Sequence, residues 1–152
     1  MDTVMILKKG ITGLRSFKDP VLESTAINSI LEKINYPYIY YDLVEPQINT
    51  NYFSLVIHNK NHDTKFKLLV NGVYYIVAGV TIESECMCLD FITMPKDFTD
   101  QCNDGQTMVL NKEILETIVP KKEIAVLGRA EIEQINYWGS RKYGEIIFNG
   151  YD

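Results

Sequence analysis

Asn71-Gly72 falls between two apolar runs, and no other dipeptide in this chain restricts its fold as much. Before it, Lys65-Phe66-Lys67-Leu68-Leu69-Val70 alternates charge with bulk; after it, Val73 to Ile82 is apolar on both faces. Asn and Gly tolerate the positive φ that a two-residue hairpin turn needs at both central positions, so the spacing predicts a tight β-hairpin. Lys65 and Lys67 mark a solvated face on the first arm, and the second arm reads as a central strand.

Other segments extend the hairpin into a meander. Tyr52 to His58 alternates, with Phe53, Leu55 and Ile57 on one face. A further strand is expected over Cys86 to Ile92, with Met87, Leu89 and Phe91 aligned. Tyr36-Pro37-Tyr38-Ile39-Tyr40-Tyr41 has high β-propensity, but Pro37 bars it from a central sheet position. Val4 to Leu7 reads as a short first strand or the start of a packed segment. Upstream, Asp19-Pro20 can start a helix, because Asp caps and Pro is tolerated at the first helical position. Leu22, Ala26, Ile27, Ile30, Leu31 and Ile34 then follow three-and-four spacing until Asn35 and Pro37 close it. Thr93 to Gln106 reads as a loop. Leu110, Ile114, Leu115 and Ile118 suggest a short second helix, capped by Asn111 and ended before Pro120. Strands are expected again at Ile124–Leu127, Ala130–Tyr137 and Glu145–Phe148. The sum is a single α+β domain over residues 1–152, a mostly antiparallel sheet with an N-terminal helix and a second short helix.

Charge is the most uneven property of the chain. Its net charge is −5, and the segment from Glu83 to Asp104 holds six acids (Glu83, Glu85, Asp90, Asp97, Asp100, Asp104) against Lys96 alone. That segment carries the whole excess. Nucleic-acid binding needs a basic footprint, so it is disfavoured; a basic protein partner would be attracted. Met1-Asp2-Thr3 lacks a basic signal-peptide start, no apolar run is long enough to span a bilayer, and three cysteines cannot all pair. Cytoplasm is the expected compartment.

No catalytic or metal motif stands out. His58 and His62 flank a polar turn, and Cys86-Met87-Cys88 lacks the two-residue gap of a zinc knuckle. Cys102 lies between Asp100 and Asp104, where carboxylates disfavour a thiolate. Glu83/Glu85 and Glu131/Glu133 put paired acids on one face if they lie on strands, an arrangement also common on solvated edges. Gly10-Ile11-Thr12-Gly13 lacks the Lys-Ser/Thr of a phosphate loop. No cofactor and no metal are expected.

The C-terminal stretch adds a resemblance. Trp138, then Tyr143-Gly144-Glu145-Ile146-Ile147-Phe148-Asn149, then Tyr151-Asp152 resembles the ending of immunity proteins from bacterial polymorphic-toxin and contact-dependent growth-inhibition loci. Those often close with Trp, a turn, and Gly-acid-apolar-apolar-Phe-Asn-x-Trp-Asp; here Tyr151 replaces the last Trp. The match covers about a tenth of the chain. It implies a non-enzymatic protein that binds and neutralises the C-terminal domain of a secreted toxin, often a basic nuclease. In that setting the tail is structural, with Trp138 buried against it. The contacts are then expected from Glu83, Glu85, Asp90, Asp97, Asp100 and Asp104, with Tyr38, Tyr40 and Tyr41 as aromatic anchors if exposed. Two alternatives stay open. A small enzyme predicts a deep pocket holding a titratable group of shifted pKa. A homodimeric module joined through the tyrosines predicts a concentration-dependent mass.

Overall fold

A computed structural model describes residues 5–13, 26–47, 50–85 and 88–151. The fold is α+β, built on a six-stranded sheet. Strands β1 (Tyr38–Val44), β2 (Tyr52–Asn59), β3 (Thr64–Asn71), β4 (Ile76–Val80) and β5 (Phe91–Ile92) run antiparallel in that order, and β6 (Met108–Val109) joins β4 in parallel. Every residue of β4 is buried, as the two-sided apolar run predicts. Pro37 immediately precedes β1, and β1 is an edge strand.

Side chains alternate across β2, β3 and β4 and feed two separate cores. On one face Phe53, Leu55, Ile57, Phe66, Leu68, Val70 and Val77 pack with helices α1 (Ala26–Lys33) and α2 (Lys96–Cys102). On the other, Tyr52, Leu69, Ile76, Ala78 and Val80 meet α3 (Lys112–Leu115), α5 (Arg129–Trp138) and α6 (Tyr143–Ile147). Helix α4 (Lys121–Ile124) sits beside this second core. Ile27 and Ile30 of α1 are buried at the predicted spacing, while Asp19, Pro20 and Leu22 lie outside the described residues. Asn111 caps α3 through a side-chain acceptor for the Ile114 N–H, as expected.

Several expectations are overturned. The β3–β4 connection is not a two-residue turn: Val70 pairs with Val77, leaving Asn71 to Ile76 between them. The Asn71 side chain organises that longer loop by accepting from the Val73 and Tyr74 N–H groups, each at 2.9 Å. This local bond offers the backbone an alternative to the ladder. The expected strand at Cys86–Ile92 contracts to Phe91–Ile92 plus a Glu85–Cys88 bridge; Cys86 and Met87 lie outside the described residues. Residues 5–8 carry no regular structure.

Thr93 to Gln106 is not a loop, because α2 occupies its centre. Phe98 and Cys102, four residues apart, are both fully buried, and Phe98 meets Tyr38 and Phe66 edge-on at 5.0 and 5.2 Å. That apolar pair, after Pro95, is a one-sided helix signal that the surrounding acids hide. None of the three C-terminal strands forms: Ala130–Tyr137 lies within α5, Glu145–Phe148 is mostly α6, and Ile124–Leu127 is the last residue of α4 and the turn after it. In α5 the Glu131 carboxylate accepts from the Gly128 N–H at 3.0 Å, and Gly139 ends the helix with φ 69°. Consequently Glu131 and Glu133 do not share a strand face: Glu131 is buried, and Glu133 pairs in solvent with Arg129.

The irregular segment 5–13 lies against the core, with Leu7, Ile11 and Thr12 buried and Met5, Lys8, Lys9 and Gly13 exposed. Such backbone must find partners outside itself. Glu123 accepts from the Ile6 and Leu7 N–H groups and the Tyr143 hydroxyl. Glu131 accepts from the Gly10 and Thr12 N–H groups and Thr12 Oγ1. Three asparagines serve the carbonyls. Asn51 and Asn71 each donate to the Ile11 and Ile147 oxygens, and Asn149 donates to those of Thr12 and Ile146. Asn149 of the tail therefore ties segment 5–13 and α6 to Asn51, the residue before β2.

Candidate partner-binding surface

The structure separates the six acids of the Glu83–Asp104 segment into two groups. Glu83, Glu85 and Asp90 stand on the turn between β4 and β5. That turn is stitched internally: the Thr81 N–H donates to the Asp90 carbonyl (3.0 Å), and Thr81 Oγ1 meets Ser84 Oγ (2.8 Å). Ser84 Oγ also accepts from the Asp90 N–H at 3.0 Å. Lys67 Nζ donates to the Ser84 carbonyl, also at 3.0 Å. The three carboxylates themselves are exposed and make no hydrogen bond or ion pair among the described residues. A fixed backbone thus presents free negative charge.

The second group is engaged in holding the fold. Asp97 accepts from the Tyr38 hydroxyl (2.6 Å) and the Phe98 N–H (3.0 Å). Asp100 pairs with Lys96 at 2.9 Å in solvent, where such pairs contribute little. Asp104 pairs with Lys33 and accepts from the Gln106 and Thr107 N–H groups. These bonds tie α2 and the segment after it to β1 and α1.

The tyrosines divide as well. Tyr38 is 3% exposed, so it does not meet the condition for a contact anchor. Burial, reinforced by the bond to Asp97, pushes its hydroxyl up to about 12. Tyr40 is exposed, and Tyr41 is half-buried with Lys65 Nζ 5.9 Å from its ring centre. Sequence reasoning missed their neighbours. Ile39, Tyr40, Leu43 and Val44 are all large, apolar and exposed on one edge strand. The signal was present as a continuation of the run past Tyr41, interrupted only by Asp42.

Register places these side chains. Ile39 opposes His58, Tyr41 opposes Val56 and Val44 opposes Ser54, so all three share the sheet face that Tyr52 and Leu69 occupy further in. Asp42 has φ 56°, and the β1–β2 register shifts between Tyr41 and Val44. A bulge of this kind bends an edge strand and re-aims its side chains. Val44 at the end of β1 and Glu85 on the acidic turn line one shallow cavity of about 160 Å³, whose floor includes Tyr52, Leu69 and Val80. One residue of the apolar edge, Val44, and one free acid, Glu85, therefore share a concave surface, which Lys67 also lines.

Groups with shifted pKa values mark the interior. Burial drives Cys102 up to about 11, partly offset by Lys33, which suits a small apolar filler. Tyr151 is raised to about 12, chiefly by burial, and lies in a groove of about 420 Å³ with Tyr52, Phe91 and Phe148. Its hydroxyl donates to Ser140 Oγ at 2.5 Å. Trp138 borders this groove but is 41% exposed, against the expectation of burial. Among the described residues no group of three or more His, Cys, Asp or Glu side chains is arranged to hold a metal ion, and no helix is long and apolar enough to cross a membrane. No protein-family model, curated protein or solved structure matches this chain.

Proposed function

We propose that this protein is an immunity protein that binds and neutralises a basic toxin domain, a nuclease being the expected class. The observation that carries this reading is the shared concavity of Val44 and Glu85. It sets an unpaired carboxylate and an exposed apolar side chain on one face of the sheet, with Lys67, bonded to the Ser84 carbonyl, also lining it. Complementary charge speeds encounter with a basic partner, and aromatic and apolar area supplies the affinity once docked. Glu83, Glu85 and Asp90 meet the partner's cations, while Tyr41, Ile39 and Val44 supply the apolar contact; Tyr40, opposite Ile57, lies on the other sheet face and takes no part. Asp97, Asp100 and Asp104 contribute field rather than contacts. Binding takes place in the cytoplasm, where the toxin would act.

An enzyme reading would turn to the groove at Tyr151. A phenol raised to about 12 is a poor general base at neutral pH; the Cys88 thiol and the Ser140 hydroxyl also line the groove, but no histidine lines it to activate them. The binding reading is favoured.

Co-expression with the toxic C-terminal domain expected from the neighbouring upstream gene is the test. Growth should be restored, and a one-to-one complex should co-purify and weaken as salt rises. Continued growth arrest, with the toxin active and this protein folded, would sink the proposal for that partner.

A further inference from the structure

Away from the acidic turn, four cations converge on two segments that lie side by side. Lys121 and Lys122 follow Pro120, and Arg141 and Lys142 precede α6. Backbone bonds hold the segments together: the Val119 N–H donates to the Arg141 carbonyl (2.8 Å) and the Tyr143 N–H to the Thr117 carbonyl (3.1 Å). None of the four forms an ion pair among the described residues. The one buried carboxylate nearby in sequence, Glu123, is occupied by the Ile6 and Leu7 N–H groups and the Tyr143 hydroxyl.

Between these segments and the end of α5 lies a groove of about 470 Å³. Val119 and Ile135 form a buried floor, Ile124 is half-buried, and Ile118 stands on the wall 68% exposed. Lys121 and Arg141 also line it, and no acidic side chain does. In a chain of net charge −5, two unneutralised cations beside an uncovered apolar wall are a specific combination. The volume falls within the range of small-ligand sites, which are mostly apolar with a few placed polar groups.

We propose that this groove binds a small amphipathic anion, an alkyl or aryl carboxylate. Its hydrocarbon covers Ile118, Ile124 and Ile135, and its carboxylate is held between Lys121 and Arg141. Arg141 offers a planar fork suited to two carboxylate oxygens, and Lys121 adds a mobile point charge. The site is independent of the proposed toxin-binding surface.

Calorimetric titration with decanoate, below its micelle concentration, tests the assignment against decyltrimethylammonium, which has the same chain and opposite charge. Decanoate should bind, with methyl NMR shifts concentrated at Ile118, Ile124 and Ile135. Lys121→Gln and Arg141→Gln should each weaken it about tenfold, the scale of a hydrogen bond to a charged group. Both side chains are exposed, so the variants should keep the parent melting temperature; Ile118→Ser probes the apolar wall without touching charge. Equal binding of the two amphiphiles, no decanoate binding at millimolar concentration, or no response to either charge variant would overturn the proposal. So would binding of an acidic peptide without decanoate, which would make the groove a protein contact.

Discussion

Glu131→Ala should cost about 4 kcal/mol of stability, a large share of the roughly 5–15 kcal/mol margin of a single domain. The side chain is 1% exposed and accepts from the Gly10, Thr12 and Gly128 N–H groups and from Thr12 Oγ1, at 2.5 to 3.1 Å. It forms no ion pair among the described residues, and oriented donors offset its desolvation. Alanine removes the acceptor and leaves the buried Thr12 donors and the half-buried Gly10 and Gly128 N–H groups without it. Urea denaturation should show a lower midpoint with an unchanged slope, and hydrogen exchange should rise first across residues 6–12. Glu131→Gln keeps one acceptor but turns an NH2 group toward donors, and should fall between parent and alanine. A loss below about 1 kcal/mol for the alanine variant would contradict the clamp.

Alkaline solution should unfold the protein sharply. Tyr38 and Tyr151 are raised to about 12, Cys102 to about 11, and Tyr143 and Tyr74 are also raised, with burial the first cause for each. For Tyr143 the bond to Glu123 adds to burial, and for Tyr38 the bond to Asp97 does. A raised pKa means that the folded state holds its proton after the unfolded state has released it. The corresponding stability is full below the unfolded pKa, near 9 for Cys102 and 10 for the tyrosines, and drains as pH climbs toward the folded values. Each group costs up to about 1.4 kcal/mol per pH unit inside its window. The melting temperature should therefore hold to about pH 9 and collapse between 10 and 12, the span set by these groups. Tyr38→Phe should flatten part of that fall, at the cost of one hydrogen bond at neutral pH. A melting temperature unchanged from pH 9 to 12 would contradict the burial of these hydroxyls.

The sheet was legible because its chemistry has period two. Phe53, Leu55 and Ile57 alternate, and the apolar run after Gly72 has no solvated face, so neighbours and centrality followed. The turn was misread because Asn71 uses its side chain to pin Val73 and Tyr74 instead of entering a positive-φ pair. Helix α5 was hidden by one residue. Leu127, Glu131 and Ile135 are buried at four-residue spacing, and a carboxylate at the middle position breaks the apolar stripe that would reveal it. Ile and Tyr around it then mimic a strand. Helix α6 is illegible for another reason. Gly144 sits inside it because a Cβ there would lie 2.4 Å from the Phe91 ring, a tertiary demand invisible to local propensity.

The candidate surface was legible only in its charge. Composition located the acidic excess but could not tell the free carboxylates of the turn from those already bonded by Tyr38, Lys96 and Lys33. The apolar rim at Leu43 and Val44 depends on β1 being the outermost strand, which is a property of topology.

The most direct measurement is the affinity of the cognate toxin domain for two variants of this protein. One reverses the turn (Glu83→Lys, Glu85→Lys, Asp90→Lys) and the other reverses only Asp100→Lys on α2. The turn variant should lose about a hundredfold or more, mostly in association rate, while Asp100→Lys stays within about threefold. The opposite order, with the turn variant binding like the parent, would contradict the placement of the partner on the β1 and turn surface.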